Sequence, residues 1–560
     1  MEIDHERLDR LRRGRGPIPE HVIDEFVGGH LSRRGFITRA AMAGLPMSAI
    51  GGILSACGSS GSPAASGGSG KAGATIKAGC IAPTAAPNPL LVNDIGGIQL
   101  LNQVGEALVF YDTDNRPRPW LATNWSPNDD GSVWTFKLRQ GVKFSDGTPM
   151  TVDDVVYSYK SHCDPKNAGN ALSLFAGLLE PSGVVKGDDQ TIEFHLKTPY
   201  GAFPAAVSQF NYNAIVVPKG TDYTTWVKSF IGTGPFVMKS FSQTTGASFV
   251  RNPHHWGPAA LPAGVQMTFY ADEQPMVAAL QARAIDCIGQ FTVSNSPQLL
   301  SGGYTVIKIR GSAHRALSMR NDMAPFTNKY VRQAIALTLD RSAIVAALFK
   351  GNAQVGNDSP FAPSFPMTDT SIPQRKLDLN LAKQLLARAG VPRGFSAPLY
   401  TERLQEIPQF AQIVKASAAK IGVNITLNVE TIAGYYGDAT FGKSHWLDGQ
   451  MSLVDYGARP VPNVFLQAPL QSTDAKSRQG SWNAAHFDNP TYDSLSTEYM
   501  AAVDLSEQRK LATRIQTLLL DETPVIYPYF YDFLAASQKN IHGVSTQAGQ
   551  QFYLHKVTKS

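Results

Sequence analysis

The sequence predicts a multidomain α/β architecture with a small α+β unit set into its first half. Three observations carry that prediction. The chain has 560 residues, 43% of them apolar, and at ~100–200 residues per domain this is enough for two to four cores. Its second half alternates helical apolar stripes with alternating-pattern strands, which implies a sheet covered on its faces. Its first half carries two short alternating strands with a capped helix between them. Gly 49 and Pro 36 are ordinary usage, so a collagen-like or broadly disordered chain is excluded. The net charge of +5 is spread among acidic residues, unlike the basic stripe that a nucleic-acid backbone requires. No run reaches eighteen clean apolar residues, so a spanning helix is not expected.

The N-terminus reads as an export signal. A polar lead with Arg7, Arg10, Arg12, Arg13 and Arg15 is followed by Ser32-Arg33-Arg34-Gly35-Phe36-Ile37 and a mild apolar run from Ala40 to Ala56. Charged, weakly apolar and small-residue regions in that order describe a cleaved segment. The pair Arg33-Arg34 resembles a twin-arginine address. Leu54-Ser55-Ala56-Cys57-Gly58 resembles a bacterial lipobox, in which Cys57 becomes the mature N-terminus and the site of lipid attachment. Lipobox proteins carry more than one acyl chain, which holds a protein at a membrane where a single chain does so only marginally. Residues 58–73 are Gly/Ser-rich and form a flexible tether with an r.m.s. span of about 20–24 Å. Beyond Cys57 stand Cys80, Cys163 and Cys287, an odd number at wide spacings with no CxxC pair. Free buried thiols are expected, with a Cys80–Cys287 bridge as the alternative.

Elements follow in order. Asp129-Asp130-Gly131 is a turn before Ser132 to Arg139, where Trp134, Phe136 and Leu138 share one face. Thr151 and Asp154 form a capping pair ahead of Val152, Val155, Val156 and Tyr159. Thr191 to Lys197 alternates again, with Ile192, Phe194 and Leu196. Val331, Ala334, Ile335, Thr338 and Leu339 make a helical stripe. Asp340 caps a helix over 341–350 closed by Gly351. Asp378 opens another with Leu381, Leu385 and Leu386, ending at Gly390. Pro408 starts a helix carrying Phe410, Ile413, Val414 and Ile421, stopped by Gly422, and a strand follows from Val423 to Val429. Asp504 and Glu507 form a capping box ahead of Leu511, Ile515, Leu518 and Leu519.

Enzymatic constellations do not emerge. Gly437 to Ser444 fits GxxxxGK[ST], but no buried strand precedes it and no helix of useful length follows, so it reads as a surface loop. Gly232-Thr-Gly234-Pro235-Phe236 lacks the third glycine of a dinucleotide fingerprint. GxSxG and HExxH are missing, and His254-His255 are adjacent and would point apart on a strand. No metal site and no cofactor are expected. Aromatics gather at Tyr435, Tyr436, Trp446 and Tyr456, and from Tyr527 to Phe533, where core packing is the default and a binding cleft the alternative.

Residues 105–160 contain Gly-Glu106-Ala-Leu-Val-Phe-Tyr-Asp, Trp-Leu-Ala-Thr-Asn-Trp125, Asp-Asp-Gly-Ser-Val-Trp134-Thr-Phe-Lys-Leu-Arg139, Phe-Ser-Asp146-Gly and Val-Asp-Asp154-Val-Val-Tyr. Gly232-Thr-Gly-Pro-Phe, Arg251-Asn-Pro, Val331-Arg332-Gln-Ala-Ile with Asp340-Arg341, Phe487-Asp-Asn-Pro-Thr-Tyr492-Asp and Glu522-Thr-Pro-Val-Ile-Tyr527-Pro continue the pattern. In this order they resemble family 5 extracellular solute-binding proteins, the dipeptide, oligopeptide and nickel group of ABC importers. The resemblance implies a type II periplasmic-binding-protein-like fold of two lobes with an inserted accessory domain. Lobe I would be 74–115, 220–311 and 527–560, the accessory domain 116–219, and lobe II 312–526. It implies a monomeric receptor outside the cytoplasmic membrane that closes on a small peptide and delivers it intact to a permease. Asp455, in Asp455-Tyr456-Gly-Ala-Arg-Pro460, would hold the ligand amine, although Ala458 and Arg459 depart from the family spacing. Arg403 would meet the carboxylate, with Tyr456 and Trp446 beside them. An oligosaccharide, an amine or a nickel chelate are the alternative cargoes. An exported hydrolase is the alternative of another class.

Overall fold

Two seven-stranded sheets organise the molecule, and each is built from strands distant in sequence. The first runs in the order Thr305–Ile309, Phe533–Ser537, Cys287–Phe291, Thr75–Ile81, Gly264–Tyr270, Gly246–Arg251, Phe236–Ser242. Its three central strands are parallel and the flanking ones antiparallel. The second runs Ala353–Val355, Tyr529–Tyr531, His314–Met319, Met451–Tyr456, Ser396–Glu402, Asn424–Glu430, with Val525–Ile526 also paired to His314–Met319. A smaller antiparallel sheet orders Ala122–Pro127, Val133–Leu138, Thr191–His195, Val184–Lys186. This computed structural model describes residues 73–473 and 480–560, all within one compact unit, Ser69–Ser560. Arg33-Arg34, Cys57 and the tether up to residue 72 lie outside the described residues. Among the described residues no helix is long and apolar enough to cross a membrane.

Local rules account for most elements. Val152–Cys163 begins where the Thr151 amide donates to Asp154 Oδ2 at 2.7 Å, a backbone donor that would otherwise be orphaned. Asp340, Asp378 and Asp504 accept from the amides of Ala343, Leu381 and Glu507, so the three expected caps each start a helix. The alternating strands bury Trp134, Phe136 and Leu138 on one side, against Ile192 and Phe194. Met451 to Val454 are buried without alternation. Helices cover one face of their sheet with Val331, Ile335, Phe410 and Val414, and Tyr435, Phe465 and Ile515 cover the other, the situation that makes strands read as continuous apolar runs.

Three expectations change. Leu386 is buried as expected and Leu385 partly so, but Leu381 is exposed and Ala382 takes its place on the core face of the helix Leu379–Arg388. Lys350, not Gly351, takes the first left-handed position after Arg341–Phe349, with φ 50°. Tyr529–Tyr531 still belongs to the second sheet. On strand membership the chain therefore returns to the first sheet between Tyr531 and Phe533, later than residue 527. Cys80, Cys163 and Cys287 are buried free thiols.

The chain passes between the two large sheets at 310–313 and at Asp532. These passages run side by side: Ile309 pairs with Phe533, and the Tyr531 amide donates to Ala313 O at 2.9 Å. Lys308 Nζ lies 3.0 Å from Asp532 Oδ2. A Cβ on Gly311 would stand 2.6 Å from the Tyr531 carbonyl oxygen, a contact with backbone that only displacement can relieve. Gly311→Ala is therefore expected to cost about 1–3 kcal/mol as an overpacking change. It should lower the thermal midpoint, whereas Gly303→Ala, which meets nothing within 4 Å, should leave it unchanged.

Candidate functional site

Parallel strands Ser396–Glu402 and Met451–Tyr456 pair with Leu399 opposite Met451, and residues at and after their carboxyl ends line the passage between the sheets, where open α/β sheets place ligands. Asp455 lies near the end of one, Glu402 ends the other, and Glu406 follows in the loop before the helix Ile407–Ala419. His314–Met319 runs antiparallel alongside, with Arg315 directly opposite Asp455. Register thus brings three carboxylates to one guanidinium.

Arg315 has no exposed surface. Its Nε and Nη2 donate to the two Glu406 oxygens at 2.9 and 3.2 Å, a fork-on-fork pair. Nη2 also donates to Gln405 Oε1 at 2.9 Å, and Nη1 donates to Asp455 Oδ1. The Tyr531 ring lies 4.5 Å from the guanidinium carbon, its hydroxyl donates to Asp455 Oδ1 at 3.3 Å, and Tyr529 donates to Glu406 Oε1 at 3.1 Å. Burial alone would lower the Arg315 pKa, but the charges of Asp455 and Glu406 hold it well above its ordinary value.

One cation does not neutralise three acids. Glu402 is buried and its Oε1 accepts from Tyr436, while Oε2 has no partner among the described residues. Burial, reinforced by the Asp455 charge, pushes its carboxyl up to about 7. Asp455 is also raised, by burial and then by Glu406, against the opposing pull of Arg315. Its side chain keeps 26% of its surface exposed, and both side-chain hydrogen bonds fall on Oδ1. Oδ2 is left for a donor arriving from outside.

Asp455 opens onto a chamber of about 130 Å³ with walls from both sheets: Phe291 to Ser294 and Phe533 on one side, and Phe349, Gln405, Glu406 and Tyr531 on the other. Beside it, Arg459 lines a narrow gap against Tyr200, Phe210 and Leu174 of the α+β region. The loop carrying Arg459 is tied to the first passage, because Ser312 Oγ donates to Arg459 O at 2.6 Å and accepts from its amide at 2.9 Å. At the far rim the Gly201 amide donates to Met500 O at 2.8 Å. An ammonium-bearing solute would meet an acid at the junction of two lobes.

The profile of bacterial extracellular solute-binding proteins, family 5 Middle, matches residues 116–477, more than half of the chain. The chain belongs to that family. It is 27% identical over 440 residues to heme-binding protein A of Haemophilus influenzae, covering 73% of this chain and 78% of that one. It is 25% identical to the nickel-binding periplasmic protein of Escherichia coli, over 79% and 86% of the two chains. To dipeptide-binding protein DppE of Bacillus subtilis it is 24% identical, over 82% and 87%. Among solved structures, HbpA2 from Haemophilus parasuis superposes with a TM-score of 0.75 at 23% identity, over 87% of this chain and 100% of that one. The DppA of Helicobacter pylori, in complex with the peptide STSA, gives 0.68 at 22%, over 87% and 98%. The fold is the two-lobed α/β fold of these binding proteins. As a family 5 member the protein is the solute-binding receptor of an ABC importer and not an enzyme.

Of the residues expected at the family 5 site, Asp455 lines the chamber. Tyr456, the next residue on the strand, points to the opposite face and is buried 5.9 Å from Phe465 and 5.4 Å from His314. Trp446 is 5% exposed, donates to Asp438 O at 3.0 Å and packs on Tyr436. Arg403 is exposed outside the chamber, which Gln405 and Glu406 line instead. The sequence does not single out Arg315, Glu402 or Glu406, and it shows Arg459 only as a departure in spacing. A lone charge inside His314-Arg-Ala-Leu-Ser-Met was the available signal, since a buried charge demands partners. The Gly437 to Ser444 string is a loop whose Gly442 and Ser444 amides donate to Asp448 Oδ2, so the donors a phosphate would need are already used.

Because Glu402 holds its proton to higher pH folded than unfolded, the folded state is favoured below the ordinary carboxylate range and loses that advantage as pH rises through about 7. Glu402→Gln should flatten the fall in thermal midpoint between pH 5 and pH 8. A variant whose midpoint falls as steeply as the wild type would place the titration elsewhere.

Proposed function

We propose that the protein is lipid-anchored through Cys57 outside the cytoplasmic membrane, captures small peptides by closure of its two lobes, and passes them unchanged to an ABC permease. The observation that carries this reading is Asp455. It is a half-buried carboxylate with an oxygen to spare, at the lobe junction, in a cluster whose acids outnumber its cation. Such a group favours a ligand ammonium, because a charge-assisted hydrogen bond formed away from bulk water is about twice as strong as a neutral one. Arg459 supplies the complementary cation four residues later. Burial lowers its pKa, Tyr212 opposes that shift, and its Nη1 donates to Ala458 O. A short peptide carries both charges. Contacts with both lobes would favour the closed arrangement, since a ligand shifts an equilibrium only by its differential affinity for the two states. The Arg33-Arg34 pair and the Cys57 lipobox support export and anchoring, and residues 58–73 would let the receptor turn freely above the membrane.

A second reading keeps the receptor and changes the cargo to a non-peptide amine, because Asp455 recognises an ammonium and not a peptide bond. Native mass spectrometry of the purified protein distinguishes the two by the mass of retained cargo. Asp455→Ala should weaken peptide affinity at least tenfold, ~1.4 kcal/mol, by calorimetry. Unchanged affinity would remove Asp455 from the site.

A further inference from the structure

A second cavity, of about 500 Å³, lies between the first lobe and the α+β unit and takes no lining residue from the second sheet or its helices. Its size falls within the range of small-molecule sites, roughly 300–1,000 Å³. On the helix Ile95–Val104, Ile95 lines the interlobe chamber while Ile98 and Asn102 line the cavity, so this helix stands between the two. Rings make up much of the wall. Phe110 and Trp120 stack at 4.9 Å, Trp120 meets Trp256 edge-on at 5.3 Å, and Tyr553 meets Phe110 edge-on at 5.7 Å. Phe110, Trp120 and Tyr553 also line an adjoining recess of about 250 Å³.

The polar side chains of the wall divide into those already committed and those left open. Glu106 accepts from Trp120 Nε1 at 3.0 Å and from Trp256 Nε1 at 2.8 Å, and His255 Nε2 lies 3.4 Å from its Oε1. Asn102 and Gln209 exchange hydrogen bonds with the backbone of Phe552 and Tyr111. The nitrogens His255 Nδ1 and His555 Nδ1 are sealed from solvent and meet no ligand. What stays open is rich in donors. Arg139 is partly buried, its Nε donates to Trp120 O at 2.8 Å, and its guanidinium carbon stands 4.2 Å over the Trp256 ring. Those two contacts fix the plane of the group, while Nη1 and Nη2 have no partner among the described residues and are not sealed. The Tyr553 and Tyr212 hydroxyls are in the same condition, and burial raises the pKa of both, so each keeps a proton to donate at neutral pH. Asn211 Oδ1 is an open acceptor among them. Lys556, exposed at the edge, adds a second cation. Two cations therefore line a cavity whose one acid, Glu106, has both oxygens committed.

We propose that this cavity is a second small-molecule site, for a monocarboxylate carried on a flat apolar ring, of the benzoate class. The carboxylate would accept from Arg139 Nη1 and Nη2, the paired geometry that makes guanidinium–carboxylate contacts strong and selective. The ring would pack among Phe110, Trp120, Trp256 and Tyr553. The site is independent of the Asp455 chamber and does not rest on the peptide reading, since it selects an anion through residues that the chamber does not share.

Fluorine NMR of the whole protein at pH 7 with 4-fluorobenzoate and with 4-fluorobenzamide, its neutral isostere, tests it. The benzoate should bind about tenfold more tightly than the amide, and Arg139→Gln, which removes the guanidinium, should erase that preference. Ala259→Trp, a change on an exposed residue lining the cavity, should abolish binding of both probes, and it locates the site whether or not Arg139→Gln folds. Arg459→Gln, which removes the cation beside the interlobe chamber, should leave both probes bound. No binding at millimolar benzoate, equal affinity of the two probes, a preference that persists in folded Arg139→Gln, or binding that survives Ala259→Trp would overturn the proposal. Loss of the benzoate in Arg459→Gln would do the same, by assigning it to the interlobe chamber.

Discussion

Everything at the lobe junction depends on one buried guanidinium. Arg315 sits on a strand with no exposed surface and answers Glu406 and Asp455 directly, with Glu402 within range of its charge. Burying one charge is costly, and burying four is tolerable only when geometry and hydrogen bonds compensate. Gln405, Tyr529 and Tyr531 supply those bonds. The compensation is incomplete on the acidic side, and under the proposed function that imbalance would give the site its preference for a cation. A cation entering the chamber relieves Asp455, whose pKa burial and Glu406 have raised, and an anion would meet the opposite.

The passages between sheets place this cluster where it can sense both lobes. Tyr531 contacts Asp455 and Arg315, and Asp532, the next residue, is the passage itself. Ser312 in the other passage holds the Arg459 loop. The residues proposed to recognise a solute and the residues that join the halves are therefore bonded to each other. Elsewhere the second lobe is held by conventional means, including Asp358, fully buried and bonded to Arg341 and Arg375.

Local chemistry was legible in the sequence, and chemistry between distant segments was not. Helix starts at Thr151, Asp340, Asp378 and Asp504 are written within four residues of each cap, and the Trp134 and Phe194 strands announce their buried faces by alternation. The family resemblance carried the two-lobed plan. Arg315 was invisible because its partners lie 91 and 140 residues away, and only strand register brings them together. Tyr456 shows the converse: it is the next residue after Asp455, but on a strand the neighbour faces the other way, while Trp446 sits on the short helix His445–Asp448 and packs on Tyr436. Arg459 looked like an irregularity of spacing, and its place beside the lobe junction gives it a physical reason to be there.

The most direct measurement compares one set of short peptides with the same set acetylated at the amine, by calorimetry on the folded receptor at pH 7. Acetylation removes the ammonium and leaves the rest of each peptide unchanged. The acetylated set is expected to bind at least tenfold more weakly. Equal binding of the two sets would contradict an ammonium-selecting site, because an acid-rich cluster around one arginine would then have no part in choosing the cargo.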